Sequence, residues 1–388
     1  MNADIATEKS ALRRYLSDPL AVAGLAITAM LIVLALAAPL LANGRPFAMC
    51  SPDGVWSFPF LRYVFAPDTT ETLIEKIFNF LLLYLIPAGV VFYLLRHRKR
   101  LRLWILALLA AGLAAPFFAV GERVDKTDYR RLADATGSRA WFAPIPYGPY
   151  ELADRPYAAP SRTHIFGSDQ VGRDVASRLL YGSRVSLAVG LGATVLAMAV
   201  GTAVGLWSGY FGGVADLAVM RLGEVVICFP TFLLLLILMS LFQDWDFRQS
   251  ILIVIGVIGL TGWIGVCQLV RGETLRQRNL AYVQSCVAAG VPHRRILFVH
   301  LLPNIAAPIL VAFTFSVAGA ILAESTLSFL GFGVRPPTAS WGGLLRQAYE
   351  NPFEYWHLTL IPGLALFLAV CGFNFTGEGL RRMLDPKA

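Results

Sequence analysis

Eight stretches of this chain, each close to the length that crosses a bilayer as a helix, contain no Asp, Glu, His, Lys or Arg: 20–41, 77–95, 103–120, 185–210, 225–242, 251–270, 303–323 and 358–376. A helix needs about 20 apolar residues to cross the hydrocarbon and satisfies its own backbone hydrogen bonds there. Composition agrees: 56% of the 388 residues are hydrophobic and 15% charged. That leaves too little polar surface to clothe the two or three soluble domains such a length would otherwise form. The expected fold class is all-α, a polytopic membrane protein of about eight transmembrane helices.

The net charge of +8 then reads as loop charge that sets orientation, not as a nucleic-acid surface. With eight spans both termini share a side. Lys and Arg number 17 in the short loops and ends of that side, against six opposite. The segment 121–184 is too long to count. Both termini are expected in the cytoplasm. Lys9, Arg13 and Arg14 before the first run suggest a signal peptide, but the run is too long for one, so a retained first span is expected.

Local patterns add detail. Gly201, Gly205 and Gly209 recur every four residues in the fourth run, which lets another helix backbone approach; packing within this subunit is the expected use, a subunit interface the alternative. Pro230 in the fifth run predicts a kink. The five cysteines stand apart with no C-x-x-C pair, so no metal site or disulfide framework is expected. Gly167 and Gly172 match phosphate-loop spacing, yet Arg173 and Asp174 follow where Lys and a hydroxyl residue belong. No catalytic residue is identified. Charge-free run interiors argue against a proton-coupled secondary transporter, the runner-up class, and scattered polar residues against a membrane-embedded enzyme.

What remains is the loop 271–302, predicted cytoplasmic and far longer than its neighbours. It reads as a helix over 273–289, a stop at Gly290 and Pro292, and a second helical stretch over 293–301 before Pro303 opens the next span. Tyr282, Val283, Val287, Ala288, Ile296, Leu297, Phe298 and Val299 offer apolar area that a thin loop is not expected to bury on itself. Such a surface points to a protein partner, or to a helix lying on the lipid interface.

Tyr282-Val-Gln-Ser-Cys-Val-Ala-Ala-Gly290, followed after twelve residues by Pro303-Asn304, resembles the EAA loop of ABC importer permeases. His164-Ile-Phe-Gly-Ser-Asp-Gln-Val-Gly-Arg-Asp174, continuing to Ser186, resembles the segment before the second core span of dipeptide, oligopeptide and nickel permeases. The segment 321–337 with Ser340-Trp341-Gly342 is similar to the one following their fifth. The resemblance covers 161–388 and points to the second, C-type permease. Gly54-Val-Trp-Ser-Phe-Pro-Phe-Leu61 and Trp141-Phe-Ala-Pro-Ile-Pro-Tyr-Gly148 are similar to Yej-type oligopeptide permeases. Two departures stand out: an extra hydrophobic hairpin over 77–120, turned by Arg96-His-Arg-Lys-Arg100, and Gln284-Ser285-Cys286 where the family has Glu-Ala-Ala.

The resemblance implies a first unit, 1–160, holding the first span, the hairpin and a periplasmic segment, and a six-span permease core, 161–388. It implies a subunit of a bacterial inner-membrane importer for di- or oligopeptides or peptide-like compounds, working by alternating access. The implied partners are a homologous permease forming a heterodimer, two ABC ATPases that hold the ATP and Mg²⁺, an extracytoplasmic solute-binding protein, and membrane lipid. The implied ATPase-coupling residues are Tyr282, Gln284, Ser285, Ala289, Gly290, Arg294 and Pro303. Arg173 and Asp174 are given an equal expectation of only pinning their loop. The substrate-lining residues stay open.

Overall fold

The computed structural model describes residues 14–67, 69, 71–120, 125, 127–242 and 250–384; Lys9, Arg13, Arg248 and Lys387, counted among the loop cations, lie outside them. The fold is helical, as expected. In chain order the helices are α1 (Pro19–Leu41), α2 (Pro59–Phe65), α3 (Thr72–Leu94), α4 (Lys99–Ala119), α5 (Tyr129–Thr136), α6 (Val175–Phe211), α7 (Gly213–Ile227), α8 (Thr231–Leu241), α9 (Ser250–Arg278), α10 (Ala281–Ala288), α11 (His293–Arg295), α12 (Leu302–Asn304), α13 (Ala306–Leu330), α14 (Trp341–Arg346) and α15 (Trp356–Leu384). A π-helical turn, Ile296–Leu301, separates α11 from α12. Three short strands add a small antiparallel sheet in the order β2-β1-β3, built from β1 (Ala48–Cys50), β2 (Trp56–Ser57) and β3 (Arg139–Trp141). Trp56 and Trp141 stack across it with ring centroids 5.5 Å apart.

Among the described residues, seven helices are long and apolar enough to cross a membrane; α7 and α8 together make an eighth crossing only as a broken pair, bent by 86°. The fifth apolar run is therefore not one helix. Pro230 lacks an N–H to continue α7 and serves instead as the N-cap of α8, so the expected kink is a full break.

The core is a bundle centred on α6. Along its second half, Gly201, Gly205 and Gly209 lie directly against α9: a Cβ on Gly201 would sit 2.6 Å from the Trp263 carbonyl, and one on Gly205 2.6 Å from that of Cys267. The glycine stripe thus serves packing inside this subunit. Nearer its start, α6 meets α13 in two apolar clusters, Leu187 with Val317 and Ile321 in one and Val189 with Ala320 and Leu327 in the other, all buried. α1 buries Ala21, Gly24, Thr28, Leu31, Ala35 and Ala38, a stripe at three- and four-residue spacing, and this face packs on α15.

Helix ends follow local capping chemistry more than the charge-free windows. Asp18 accepts from the Leu20 N–H ahead of α1, with Pro19 at the first helical position. Asp174 accepts from the Ser177 N–H and starts α6 ten residues before the fourth run begins. Gly331, at φ +91, ends α13 seven residues after the seventh run stops. The extended helices consequently include charges: Glu75 in α3, Arg178 and Arg184 in α6, and Glu324 in α13, all buried. The expectation of charge-free helix interiors is corrected on this point.

The hairpin α3–α4 joins the bundle through a polar stripe at its root. Glu71, Glu75 and Asn79 recur every four residues and share one helix face. Glu71 accepts from the Ser250 hydroxyl at 2.7 Å and the Ile251 N–H at 3.2 Å, at the start of α9. Glu75 pairs with the fully buried Arg184, which also donates to Asn79 at 2.9 Å and to the Ala35 and Leu36 carbonyls of α1. The rest of the hairpin shaft is largely exposed, as a lipid-facing surface would be.

Candidate functional site

The loop 271–302 is more ordered than a connecting segment needs to be. α9 runs on to Arg278, eight residues past the expected end of its span, so residues 273–278 continue that helix. The chain then turns at Asn279 and Leu280, and only 281–288 form the separate helix α10. α10 ends in a Schellman turn: the Val291 N–H donates to the Cys286 carbonyl and the Gly290 N–H to that of Val287, both at 3.0 Å. Gly290 sits at φ +70, where an L side chain is strained, and apart from its chain neighbours no described residue lies within 4 Å of where a Cβ would point. Its glycine therefore answers to backbone shape, and it leaves an open surface above it.

α10 has two unlike faces. Inward, Val283 is 1% exposed and joins Ile296, Leu297, Leu301 and Ile305 in one apolar cluster with Met198 and Leu206 of α6 and Val266 and Val270 of α9. The loop thus buries part of the apolar area that was expected to stay open. Outward, Gln284, Ser285, Val287, Ala288, Ala289 and Gly290 are all exposed, and so are Phe298 and Val299 beyond the turn. A shallow, small-residue ridge is left facing away from the bundle.

Polar bonds tie this ridge to the spanning helices. The Arg278 guanidinium donates to the Gly209 and Tyr210 carbonyls at 3.0 and 3.2 Å, filling acceptors that the end of α6 leaves open. Tyr210 Oη lies 2.8 Å from His293 Nδ1, linking the same helix end to the second half of the loop. Arg271 holds Asp216 of α7 with two bonds of 2.5 and 2.6 Å, the fork geometry that favours Arg. None of Arg271, Arg278, His293, Tyr210 or Asp216 stood out in the sequence. A basic residue in the last turn of α9, near a helix C-terminus elsewhere in the chain, was the only signal for Arg278.

The residues expected to couple fall into three groups. Gln284, Ser285, Ala289 and Gly290 lie together on the exposed ridge, with Gln284 Nε2 donating to the Asn279 carbonyl at 3.3 Å. Tyr282 is half-buried behind them, its hydroxyl donating to Gln277 Oε1 at 3.0 Å. Arg294 is exposed beside Arg295 after the turn. Pro303 does not open the next span: it sits in α12, before a break at Ile305, and α13 begins at Ala306.

At the opposite end of α6, the segment from His164 is pinned by its charged residues. Asp169 is fully buried, accepts from Arg173 Nε at 2.7 Å and lies 3.1 Å from Arg178 Nε. Asp174 caps α6 and lies 2.9 Å from His164 Nδ1. Arg173 and Asp174 hold the loop fold. Glu324, also fully buried, accepts from Ser186, Ser325 and Ser328, and Ser328 Oγ accepts the Val334 N–H. This hub ties α13 to α6 and to the segment leading to α14.

Comparison with known proteins covers much of this framework. Residues 201–388 match the family described as binding-protein-dependent transport system inner membrane component, and 9–51 match the N-terminal TM domain of oligopeptide transport permease C. The chain is 38% identical over 250 residues to the oligopeptide transport system permease protein OppC of Haemophilus influenzae, covering 64% of this chain and 78% of that protein. It is 36% identical over 247 residues to the glutathione transport system permease protein GsiD of Escherichia coli O157:H7, covering 64% and 80%. It is 36% identical over 231 residues to the dipeptide transport system permease protein DppC of Haemophilus influenzae, covering 60% and 77%. The hairpin α3–α4 lies outside both family matches.

Proposed function

Because this chain belongs to the inner-membrane permease family of binding-protein-dependent ABC importers, we propose that the ridge Gln284–Gly290 is where partner ATPases push on it. The observation behind the assignment is the two-faced build of α10. Its outer face is small and open enough to enter a cleft, while its inner face is packed into α6, α9 and the start of α13. A force on the ridge then moves helices, because packed interiors shift as units and do not deform smoothly.

The chain is a multi-pass transport subunit, and the chemistry of ATP and Mg²⁺ is assigned to two ATPase chains bound on the loop side. That side is the cytoplasm in this assignment, supported by the excess of Lys and Arg there. A homologous permease would complete the pathway, and an extracytoplasmic solute-binding protein would dock opposite, near the segments from His164 and around α14. The cargo is assigned to peptides or peptide-like compounds, from the oligopeptide, dipeptide and glutathione transport named for the relatives. Gln284 replaces a carboxylate with an uncharged amide, so docking rests on shape and hydrogen bonds more than on charge.

Purification of the assembly in mild detergent tests this directly. ATPase chains should co-purify with the native subunit and be lost from Ala289→Glu, which adds a buried charge to the interface without straining a left-handed residue. Peptide uptake should stop on ATP depletion and persist when the proton gradient is collapsed. Uptake that follows the gradient would sink the assignment, as would an Ala289→Glu subunit that retains its ATPases.

A further inference from the structure

We propose that the tip of the inserted hairpin is a binding surface for the headgroups of anionic phospholipids. From Lys76 to Gly121 the chain contains no Asp or Glu, yet Arg96 and Arg98 in the turn between α3 and α4 and Lys99, Arg100 and Arg102 at the start of α4 crowd together at the tip. Among the described residues, none of these five cations has a carboxylate partner. Five like charges held in seven residues repel one another, and a polyanionic surface relieves that repulsion.

The surroundings of the tip select a lipid over a soluble partner. Immediately below the cations the shaft is apolar and open: Tyr93 and Leu94 are each 70% exposed and Trp104 is 77% exposed. Aromatic rings of this kind settle at the level of the headgroups, so the cations emerge into the phosphate layer. Two of the guanidinium groups are already placed over rings, Arg102 at 4.2 Å from the centroid of Phe92 and Arg96 at 5.8 Å from that of Tyr93. Arg96 also donates through Nε to His97 Nε2 at 3.0 Å, and a guanidinium braced on a ring keeps its terminal N–H groups turned outward for paired bonds to phosphate oxygens. A water-soluble partner would meet this patch only at its upper rim.

The root of the hairpin makes such binding consequential, because Glu71, Glu75 and Asn79 fasten α3 to α6 and α9. Lipid held at the tip would therefore fix the tilt of a helix that grips the core at its other end.

Native mass spectrometry of the detergent-purified full chain, titrated separately with phosphatidylglycerol and phosphatidylcholine, reads the proposal. The native chain should retain phosphatidylglycerol in preference, and the preference should shrink with added salt. Arg100→Gln, which leaves four cations to keep the hairpin oriented, should weaken phosphatidylglycerol retention about fivefold. A chain with the four tip arginines replaced by lysine should keep the preference, since charge dominates the attraction. Equal retention of the two lipids by the native chain, or an Arg100→Gln chain indistinguishable from it, overturns the proposal. A discrete polypeptide adduct from photo-crosslinking at position 98 in native membranes also overturns it, by assigning the tip to a protein.

Discussion

Glu75 of the inserted hairpin and Arg184 of α6 form an ion pair in which both groups are buried, 109 residues apart in the chain. The hairpin is thus the counter-ion of the core and not an appendage to it. Breaking such a pair from one side leaves an uncompensated buried charge, which costs about 3–5 kcal/mol, whereas removing both charges costs far less. Arg184→Met and Glu75→Ala should each lower the thermal midpoint of the purified chain by more than their combination does. The same logic predicts that deleting 72–119 prevents accumulation unless Arg184 is also replaced by Met. Additive losses, or a hairpin deletion that accumulates without that second change, would refute the pairing as a stabilising link.

The glycine stripe makes a separable prediction. Gly205→Leu would force a side chain where the Cys267 carbonyl stands 2.6 Å and Val270 Cβ 2.9 Å from an added Cβ, so α6 and α9 must part. Overpacking of this kind costs roughly 1–3 kcal/mol. Gly265→Ala, on α9 but with open space around the new Cβ, should be neutral or slightly stabilising. Melting curves of the two variants in one detergent decide the matter: similar midpoints would mean that the close approach contributes nothing.

Arg278 is expected to matter for transmission more than for assembly. Its guanidinium fills two carbonyls at the end of α6, and charge-assisted bonds to buried-side acceptors are worth about 1.5–3 kcal/mol. Arg278→Ala should leave the ATPase chains bound but lower peptide transported per ATP hydrolysed, on the order of tenfold. Proteoliposome transport and ATPase rates, measured on one preparation, give the ratio. An unchanged ratio would remove Arg278 from the coupling path.

Outside the membrane-spanning helices, Asp125 and Tyr129 share a 2.7 Å hydrogen bond. Burial pushes the Asp125 carboxyl up, but the Tyr129 and Thr127 bonds and the nearby Arg45 outweigh it and hold the group below the usual carboxylate range. Burial and the same bond push the Tyr129 hydroxyl up to about 12. A carboxyl depressed in the folded state stabilises it above the unfolded value, and the contribution is lost as pH falls through the folded value. Protection from hydrogen exchange across 127–141, taken relative to the intrinsic exchange rate at each pH, should therefore be high at neutral pH and fall on acidification below the usual carboxylate range. Tyr129→Phe should remove part of that protection at neutral pH and flatten its pH dependence; an unchanged profile would count against the bond.

Much of this was legible in the chain. The eight apolar runs find the spanning segments because lipid solvation depends on local composition, and Gly201, Gly205 and Gly209 find a close packing face because their spacing alone puts them on one side. The exposed ridge of α10 was legible through Gly290. Three things were not. The runs stop short of Glu75, Arg184 and Glu324 because a one-dimensional window treats each charge as unpaired, while each of them has a partner on another helix: Glu75 and Arg184 hold each other, and Glu324 accepts from Ser186. Pro230 signals a disturbance but not its angle, which depends on what α7 and α8 pack against. The apolar residues of the 271–302 loop appear unburied until α6 and α9 are folded beside them.

One consequence follows from the length of α6. Its 37 residues, at 1.5 Å each, make a rod of about 55 Å, longer than the hydrocarbon it crosses. It begins in the pinned segment around Asp169 and Asp174 and ends in the grip of Arg278. Both ends of the helix are thus held by charged side chains of neighbouring segments. A shift imposed at one end of this helix is thereby handed to the groups that hold the other through a single element.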